Sequence, residues 1–108
     1  MFVLDKEMTS TTLENGVIRK IKGYIDELMV VELKWQKGMV GDVHTHPHCQ
    51  CGYIIKGSFE AYMDGKKQVL KTGDCFYATK DVPHGLVCLE NDSLMIDIFT
   101  PMREDFIQ

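Results

Sequence analysis

Four histidines are the residues of this chain best suited to bind a metal ion, and they form two groups. His44, His46 and His48 lie close together, whereas His84 lies much further along the chain. Residues two apart in an extended strand point to the same face, so His44 and His46 are expected to project side by side. Two imidazoles on one face are a ready pair of metal ligands, although an exposed pair on an edge strand would look the same. Pro47 is expected to end this strand.

The rest of the sequence predicts short β-strands separated by turn residues. Hydrophobic and polar residues alternate in the segment 29–35, and Asp64-Gly65 is typical of a tight hairpin turn. Strands at such short intervals indicate an antiparallel sandwich or barrel. Gly16 to Ile25 is a candidate early strand. Helix is expected only in the tail, from Met102 to Ile107, with the segment from Thr9 to Leu13 as a second candidate.

The spacing around the histidines resembles the first sequence motif of the cupin family. Five residues separate Gly38 from His44, three separate His46 from Gln50, and six separate Gln50 from Gly57. The family usually has Glu at the position of Gln50.

A second cupin motif maps onto Gly73 and His84, with Thr79, Asp81 and Cys88 in place of its Pro, Gly and Asn. The resemblance covers roughly residues 38–99. It implies an all-β cupin fold, a double-stranded β-helix or jelly-roll barrel, with a short C-terminal helical turn and a single domain over residues 1–108. It also implies one divalent transition metal ion, held by His44, His46, Gln50 and His84.

Gln50 changes the expected chemistry of such a site. Three neutral imidazoles and an amide oxygen leave the metal with its full positive charge, whereas a Glu ligand would reduce it. A stronger Lewis acid, less suited to oxygen activation, is therefore expected. Imidazole binds Zn, Ni, Fe, Co and Mn, so the ligands do not select among these metals.

The last predicted strand carries an acid among apolar residues. Alternation places Met95, Asp97 and Phe99 on one face, and burial there would raise the pKa of Asp97 and suit it to proton transfer. A nearby metal ion would lower the same pKa, so the direction of the net shift stays open. If that face were the outer one, Asp97 would simply meet water. Arg103 follows shortly afterwards, where its guanidinium could bind a carboxylate through two hydrogen bonds. A surface salt bridge of Arg103 with Glu104 or Asp105 is the alternative.

The tail, residues 97–106, resembles the ending of small cupins that take part in pectin and alginate breakdown. Those proteins convert unsaturated uronates, released by polysaccharide lyases, into a linear keto sugar acid. The resemblance implies that Asp97 and Arg103 are catalytic and that Phe99 and Arg103 contact the substrate. His48 is a further candidate for substrate contact, with a metal ligand, a residue that orients a ligand, and a plain surface residue as alternatives.

The expected function is therefore metal-dependent ring opening and tautomerisation of 4,5-unsaturated uronate monosaccharides. Two alternatives stay open at this point. One is a metal-dependent dioxygenase acting on a small organic substrate, which predicts oxygen consumption. The other is a non-catalytic cupin that binds a sugar acid, which predicts binding without turnover.

Composition limits the partners and the compartment. The net charge is −4, Lys and Arg are not clustered, and no long apolar stretch is present, so neither nucleic acid nor a membrane is expected as a partner. No secretory signal is visible, so we expect a cytoplasmic protein whose four cysteines are reduced and buried. A homodimer is expected, because a small barrel leaves apolar outer residues to be covered, namely Leu94, Ile96 and Ile98.

Overall fold

The computed structural model describes residues 1–107 as two antiparallel β-sheets around one hydrophobic core. The six-stranded sheet has the order β1-β2-β3-β10-β5-β8, and the four-stranded sheet has the order β4-β9-β6-β7. The strands are β1 (Thr11–Thr12), β2 (Ile18–Ile25), β3 (Leu28–Trp35), β4 (Val40–His44), β5 (Cys49–Lys56), β6 (Ser58–Met63), β7 (Lys66–Lys71), β8 (Cys75–Ala78), β9 (His84–Cys88) and β10 (Ser93–Thr100). The predicted all-β barrel architecture is confirmed.

The core lies between the two sheets and follows the alternation of the sequence. In β3, Met29 and Val31 are fully buried, whereas Lys34 is exposed on the opposite face. The four-stranded sheet contributes Phe59, whose ring packs edge-on against Trp35 with centroids 5.3 Å apart. Alternating burial of this kind fixes the register, because a shift by one residue would turn every apolar side chain outwards.

The hairpin between β6 and β7 turns at the predicted dipeptide. Asp64 and Gly65 both have positive φ angles, 46° and 87°, as a two-residue turn that matches the strand twist requires. Ser58 consequently pairs with Lys71, and Met63 pairs with Lys66.

Several local predictions are tested by these elements. The early strand is confirmed, because β2 occupies most of the segment from Gly16 to Ile25. The helix considered for Thr9 to Leu13 is wrong, since the β-branched pair Thr11–Thr12 forms β1 against β2 instead. In the tail, helical structure is confined to one 3-10 turn, Glu104–Phe106, and a second such turn spans Asp5–Glu7.

The cysteines are free, as expected, but they are not all buried. Cys88 is buried, whereas Cys49 and Cys75 are exposed on the strands they begin. Among the described residues, no helix has the length and apolar character needed to span a membrane.

Candidate metal centre

The two histidines expected on one strand face are brought together by a different local structure. Strand β4 ends at His44, and His46 lies in the connection to β5. There the carbonyl of His46 accepts a hydrogen bond from the backbone N–H of Asp81, at 2.9 Å, instead of continuing the strand ladder. The prediction that both side chains follow strand alternation is therefore wrong. Their rings nevertheless lie close, with centroids 5.4 Å apart.

His44 and His84 meet across the four-stranded sheet. The two residues are paired between β4 and β9, after a bulge that begins at Gly41 and adds one residue to β4. Gly85 permits this close approach, because a Cβ atom there would lie 2.8 Å from the carbonyl oxygen of Gly41. The His44 and His84 ring centroids are 4.5 Å apart.

Gln50 completes the cluster from the opposite sheet. Its Oε1 atom lies 2.9 Å from Nε2 of His46 and 3.1 Å from Nε2 of His84. The nitrogen atoms that His44, His46 and His84 offer as ligands all lie within 4.8 Å of one another. His46, His84 and Gln50 are buried, and His44 is exposed. The four residues expected from the motif spacing thus converge on one point.

A backbone carbonyl orients each of the three histidine rings. The Nδ1 atoms of His44, His46 and His84 lie 2.8, 2.9 and 2.8 Å from the carbonyl oxygens of Asp42, His48 and Val82, respectively. A carbonyl oxygen only accepts hydrogen bonds, so each Nδ1 carries the hydrogen. Each Nε2 therefore presents a lone pair, and rings fixed in this way are typical of metal-binding histidines.

The electrostatics of the cluster fit a bound cation. The lone pairs of two Nε2 atoms face Oε1 of Gln50, which is also an acceptor, at hydrogen-bond distance. Burial lowers the pKa values of His46 and His84, so a proton between these acceptors is disfavoured. A divalent metal ion satisfies all of these acceptors at once, and imidazole with an amide oxygen suits several transition metals.

Asp97 and Phe99 extend this site along the inner face of β10. Phe99 is paired with Gln50, and Asp97 with Gly52 two residues further along β5. Both side chains are buried, and Oδ1 of Asp97 has no hydrogen-bond partner. Burial raises the pKa of Asp97 to about 7, although a hydrogen bond from Gln50 and the charge of Arg103 pull it down. A carboxyl group of this kind can hold or release a proton near neutral pH.

Arg103 lies at the edge of the same site. Its side chain is only 13% exposed, and it makes the salt bridge with Asp105 that the sequence offered as an alternative, with Nη2 2.8 Å from Oδ2. The guanidinium carbon lies 5.1 Å from the centroid of the Phe99 ring. Arg103 is thus both salt-bridged and adjacent to the cluster.

His48 lies beside the cluster and does not converge with the other three histidines. Its ring centroid is 5.6 Å from that of His46 and 6.5 Å from that of Phe99. The carbonyl of His48 orients His46, and its own Nδ1 atom is buried with no partner.

Two adjoining cavities give access to these residues. A small cavity of about 130 Å³ is lined by His44, Gln50, His84, Asp97 and Phe99, among others. An open groove of about 780 Å³ is lined by His46 and His48. Arg103 lines both the groove and the cavity.

Two residues near Arg103 were not anticipated from the sequence. Phe106 stacks on Arg103, and Arg19, from β2, stacks on the same ring. The apolar Phe106 in a charged tail was a visible signal. Nothing in the sequence indicated a role for Arg19, because only the folded sheet brings β2 close to Phe106.

Comparison with known proteins relates the whole chain to others. A family model described as "Cupin domain" matches residues 31–99. The pectin degradation protein KdgF of Dickeya dadantii (strain 3937) is 42% identical over 107 residues, which are 98% of this chain and 97% of that protein. The solved structure of KdgF from Halomonas sp. superposes with a TM-score of 0.93 at 41% identity, covering 98% of this chain and 97% of that one. An RmlC-like cupin from Shewanella frigidimarina NCIMB 400 gives a TM-score of 0.91 at 37% identity, covering 97% and 94% of the two chains.

Proposed function

The chain belongs to the cupin family, and we propose that it is a metal-dependent enzyme that converts 4,5-unsaturated uronates into the linear keto acid. One observation carries this proposal. A cluster of metal ligands, a buried carboxyl group and a guanidinium line a single cavity, through residues His44, Gln50, His84, Asp97 and Arg103. The similarity to the pectin degradation protein KdgF of Dickeya dadantii supports the choice of substrate.

The proposed reaction is an isomerisation, so every atom of the substrate is kept. The bond between C1 and the ring oxygen breaks as the C1 hydroxyl gives up its proton and the ring oxygen takes one up, which leaves an aldehyde at C1 and an enol at C5. The enol then becomes a ketone when C4 gains a proton and the C5 oxygen loses one. Such a reaction needs an electrophile near oxygen and a proton-transfer group, and it needs no oxidant.

His44, His46, Gln50 and His84 would hold a divalent transition metal, chosen from Zn, Ni, Fe, Co and Mn. When bound, this ion would supply Lewis acidity towards the ring or carbonyl oxygen of the sugar. The neutral amide of Gln50 favours this role, because it leaves the metal its full charge.

We assign proton transfer to Asp97. Its Oδ1 atom is buried and has no partner among residues 1–107, and Asp97 lines the small cavity beside the proposed metal ligands. Burial raises the pKa of this carboxyl to about 7 in the metal-free protein. A bound cation would lower this pKa, so the metal-loaded site would hold Asp97 more often as the carboxylate, which is the form that accepts a proton. Phe99, which is buried beside it, would provide the apolar wall that excludes water.

We assign binding of the substrate carboxylate to Arg103. A guanidinium forms two parallel hydrogen bonds with a carboxylate, and partial burial strengthens them. His48 would contact the substrate from the groove, which it lines.

We also propose that the protein is a homodimer formed through the outer face of the six-stranded sheet. An apolar row crosses four neighbouring strands on this face, consisting of Val30, Ile98, Cys51 and Tyr77. In the next row, Ile96 is paired with Tyr53, which is 41% exposed. The apolar part of this face, which is bordered by Glu32 beside Ile96, fits a second sheet of the same kind better than it fits water.

We further propose that residues 1–108 act as one cupin domain in the cytoplasm. All four cysteines are free, and two of them are exposed, which suits a reducing compartment.

Oxygen consumption and chelation test the proposed reaction against its rivals. The metal-loaded protein is incubated with unsaturated galacturonate while the loss of the 4,5-unsaturation and the dissolved oxygen are followed together. Turnover without oxygen uptake, abolished by a chelator and restored by added metal, is the expected result. Oxygen uptake that matches turnover would favour the dioxygenase, and binding without turnover would favour the sugar-acid binding protein.

A further inference from the structure

The guanidinium group of Arg103 is held by its neighbours on one edge and on its planar surface. Nε and Nη2 lie 3.3 and 2.8 Å from the two carboxylate oxygens of Asp105. The guanidinium carbon lies 4.0 Å from the centroid of the Phe106 ring, and this ring is perpendicular to that of Phe99. These contacts fix both the position and the rotation of a side chain that is otherwise flexible.

Arg19 supports the same ring. Its guanidinium carbon lies 4.3 Å from the centroid of Phe106, nearly as close as that of Arg103. Phe106 is thus contacted by two guanidinium groups, and each cation is attracted to the electron-rich ring.

Asp105 leaves one end of the Arg103 guanidinium free to bind another molecule. Among the described residues, only Nε and Nη2 of Arg103 make hydrogen bonds, and Nη1 makes none. Nη1 is not fully buried, so it is open to a cavity or to solvent. Since Arg103 lines both the groove and the small cavity, its free end can reach a bound molecule while Asp105 stays in place.

We propose that Asp105, Phe106 and Arg19 are positioning residues, which hold the Arg103 guanidinium so that its free end selects substrates with a carboxylate. The inference rests on the proposed function and deepens it. A guanidinium that is already fixed loses less conformational freedom when a carboxylate binds. The positioning residues are therefore expected to increase the affinity for the substrate. Asp105 is accordingly a support for Arg103 and not a competitor of the substrate.

Kinetics with two substrates test this role. Asp105→Asn and Phe106→Leu should each raise KM for unsaturated galacturonate about two- to tenfold with little change in kcat, the range that such contacts contribute. Glu104→Gln, on the same turn, is the matched control and should behave like the parent. With the methyl ester of the same uronate, which lacks the carboxylate charge, Asp105→Asn and the parent should not differ. A KM that falls or stays unchanged in Asp105→Asn would overturn the proposal.

A second measurement does not depend on turnover. In the zinc-loaded protein, the Nε–Hε group of Arg103 should exchange with solvent slowly in the parent and in Glu104→Gln, and faster in Asp105→Asn, Phe106→Leu and Arg19→Ala. Arg103→Lys identifies the NMR signal by removing it. Equal exchange in all variants would overturn the positioning role alone. Failure of the parent to act on the uronate would overturn the proposed function alone.

Discussion

Oε1 of Gln50 lies 2.9 Å from Nε2 of His46, so two groups that both present lone pairs face each other in the protein interior. The Nδ1–H group of His46 donates a hydrogen bond to the carbonyl oxygen of His48, which leaves no hydrogen at Nε2 in the neutral ring. This contact is repulsive unless a cation lies beside it, and the first two predictions follow from that requirement.

His46→Ala should lose most of the bound metal, because it removes one of three imidazoles and the nearest neighbour of Gln50. Elemental analysis of the purified variant is the measurement, with circular dichroism to verify the fold. The exposed residue Lys66 offers a control, since Lys66→Ala should keep a full equivalent of metal. A folded His46→Ala protein with the parental metal content would show that the cluster is not the metal site.

Gln50→Glu should keep the metal and reduce turnover. A carboxylate also binds transition metals, but its negative charge lowers the Lewis acidity of the ion. Metal content and kcat are measured on the same preparation. Full activity in Gln50→Glu would show that the neutral ligand is incidental to the reaction.

Asp97→Asn should be more stable than the parent at pH 8 when both are metal-free, and should turn over at least about a hundredfold more slowly. The folded protein raises the pKa of Asp97 from 3.8 to about 7, so ionisation costs the fold stability as the pH rises through that interval. At pH 8 the cost reaches roughly 4 kcal/mol. Urea unfolding of the metal-free proteins at pH 5 and pH 8 is the measurement. A stability difference that does not grow with pH would contradict the burial of an ionisable Asp97.

Arg103→Ala should keep its fold and its metal but lose catalytic efficiency. Truncation of a shielded charge partner costs on the order of 2–5 kcal/mol, which is roughly a thirty- to several-thousand-fold loss in kcat/KM. Arg103→Lys should recover only part of the loss, because a point charge cannot make two parallel hydrogen bonds. Parental kcat/KM in Arg103→Ala would reduce Arg103 to the partner of Asp105, since exposed ion pairs contribute only about 0–1 kcal/mol.

Strand alternation predicted the direction of the Asp97 side chain correctly, but it did not apply to His46. Asp97 lies within a regular strand, where alternation determines which side chains face the core, and the apolar residues Met95 and Phe99 marked that face. His46 lies beyond the end of its strand, where no periodicity applies and the direction of the side chain depends on the backbone contact with Asp81. Motif spacing nevertheless predicted that His46 joins the cluster, because that prediction does not depend on strand periodicity.

Of the contacts around Arg103, only those with residues nearby in the chain could be predicted from the sequence. Alternative partners for its charge were visible in the sequence, and Asp105 is indeed one of them. The contribution of Arg19 depends on the packing of β2 against the tail through Phe106, and no local pattern encodes a contact between such distant segments.

The most direct test of the proposed function is the initial rate at which the metal-loaded protein forms linear keto acid from unsaturated galacturonate, followed by proton NMR at neutral pH. The spontaneous rate in buffer and the rate with Asp97→Asn of equal metal content are measured alongside. We predict that the parent exceeds both by orders of magnitude and that the rate is proportional to protein concentration. A parental rate equal to the spontaneous one, with full metal occupancy, would contradict the proposed function.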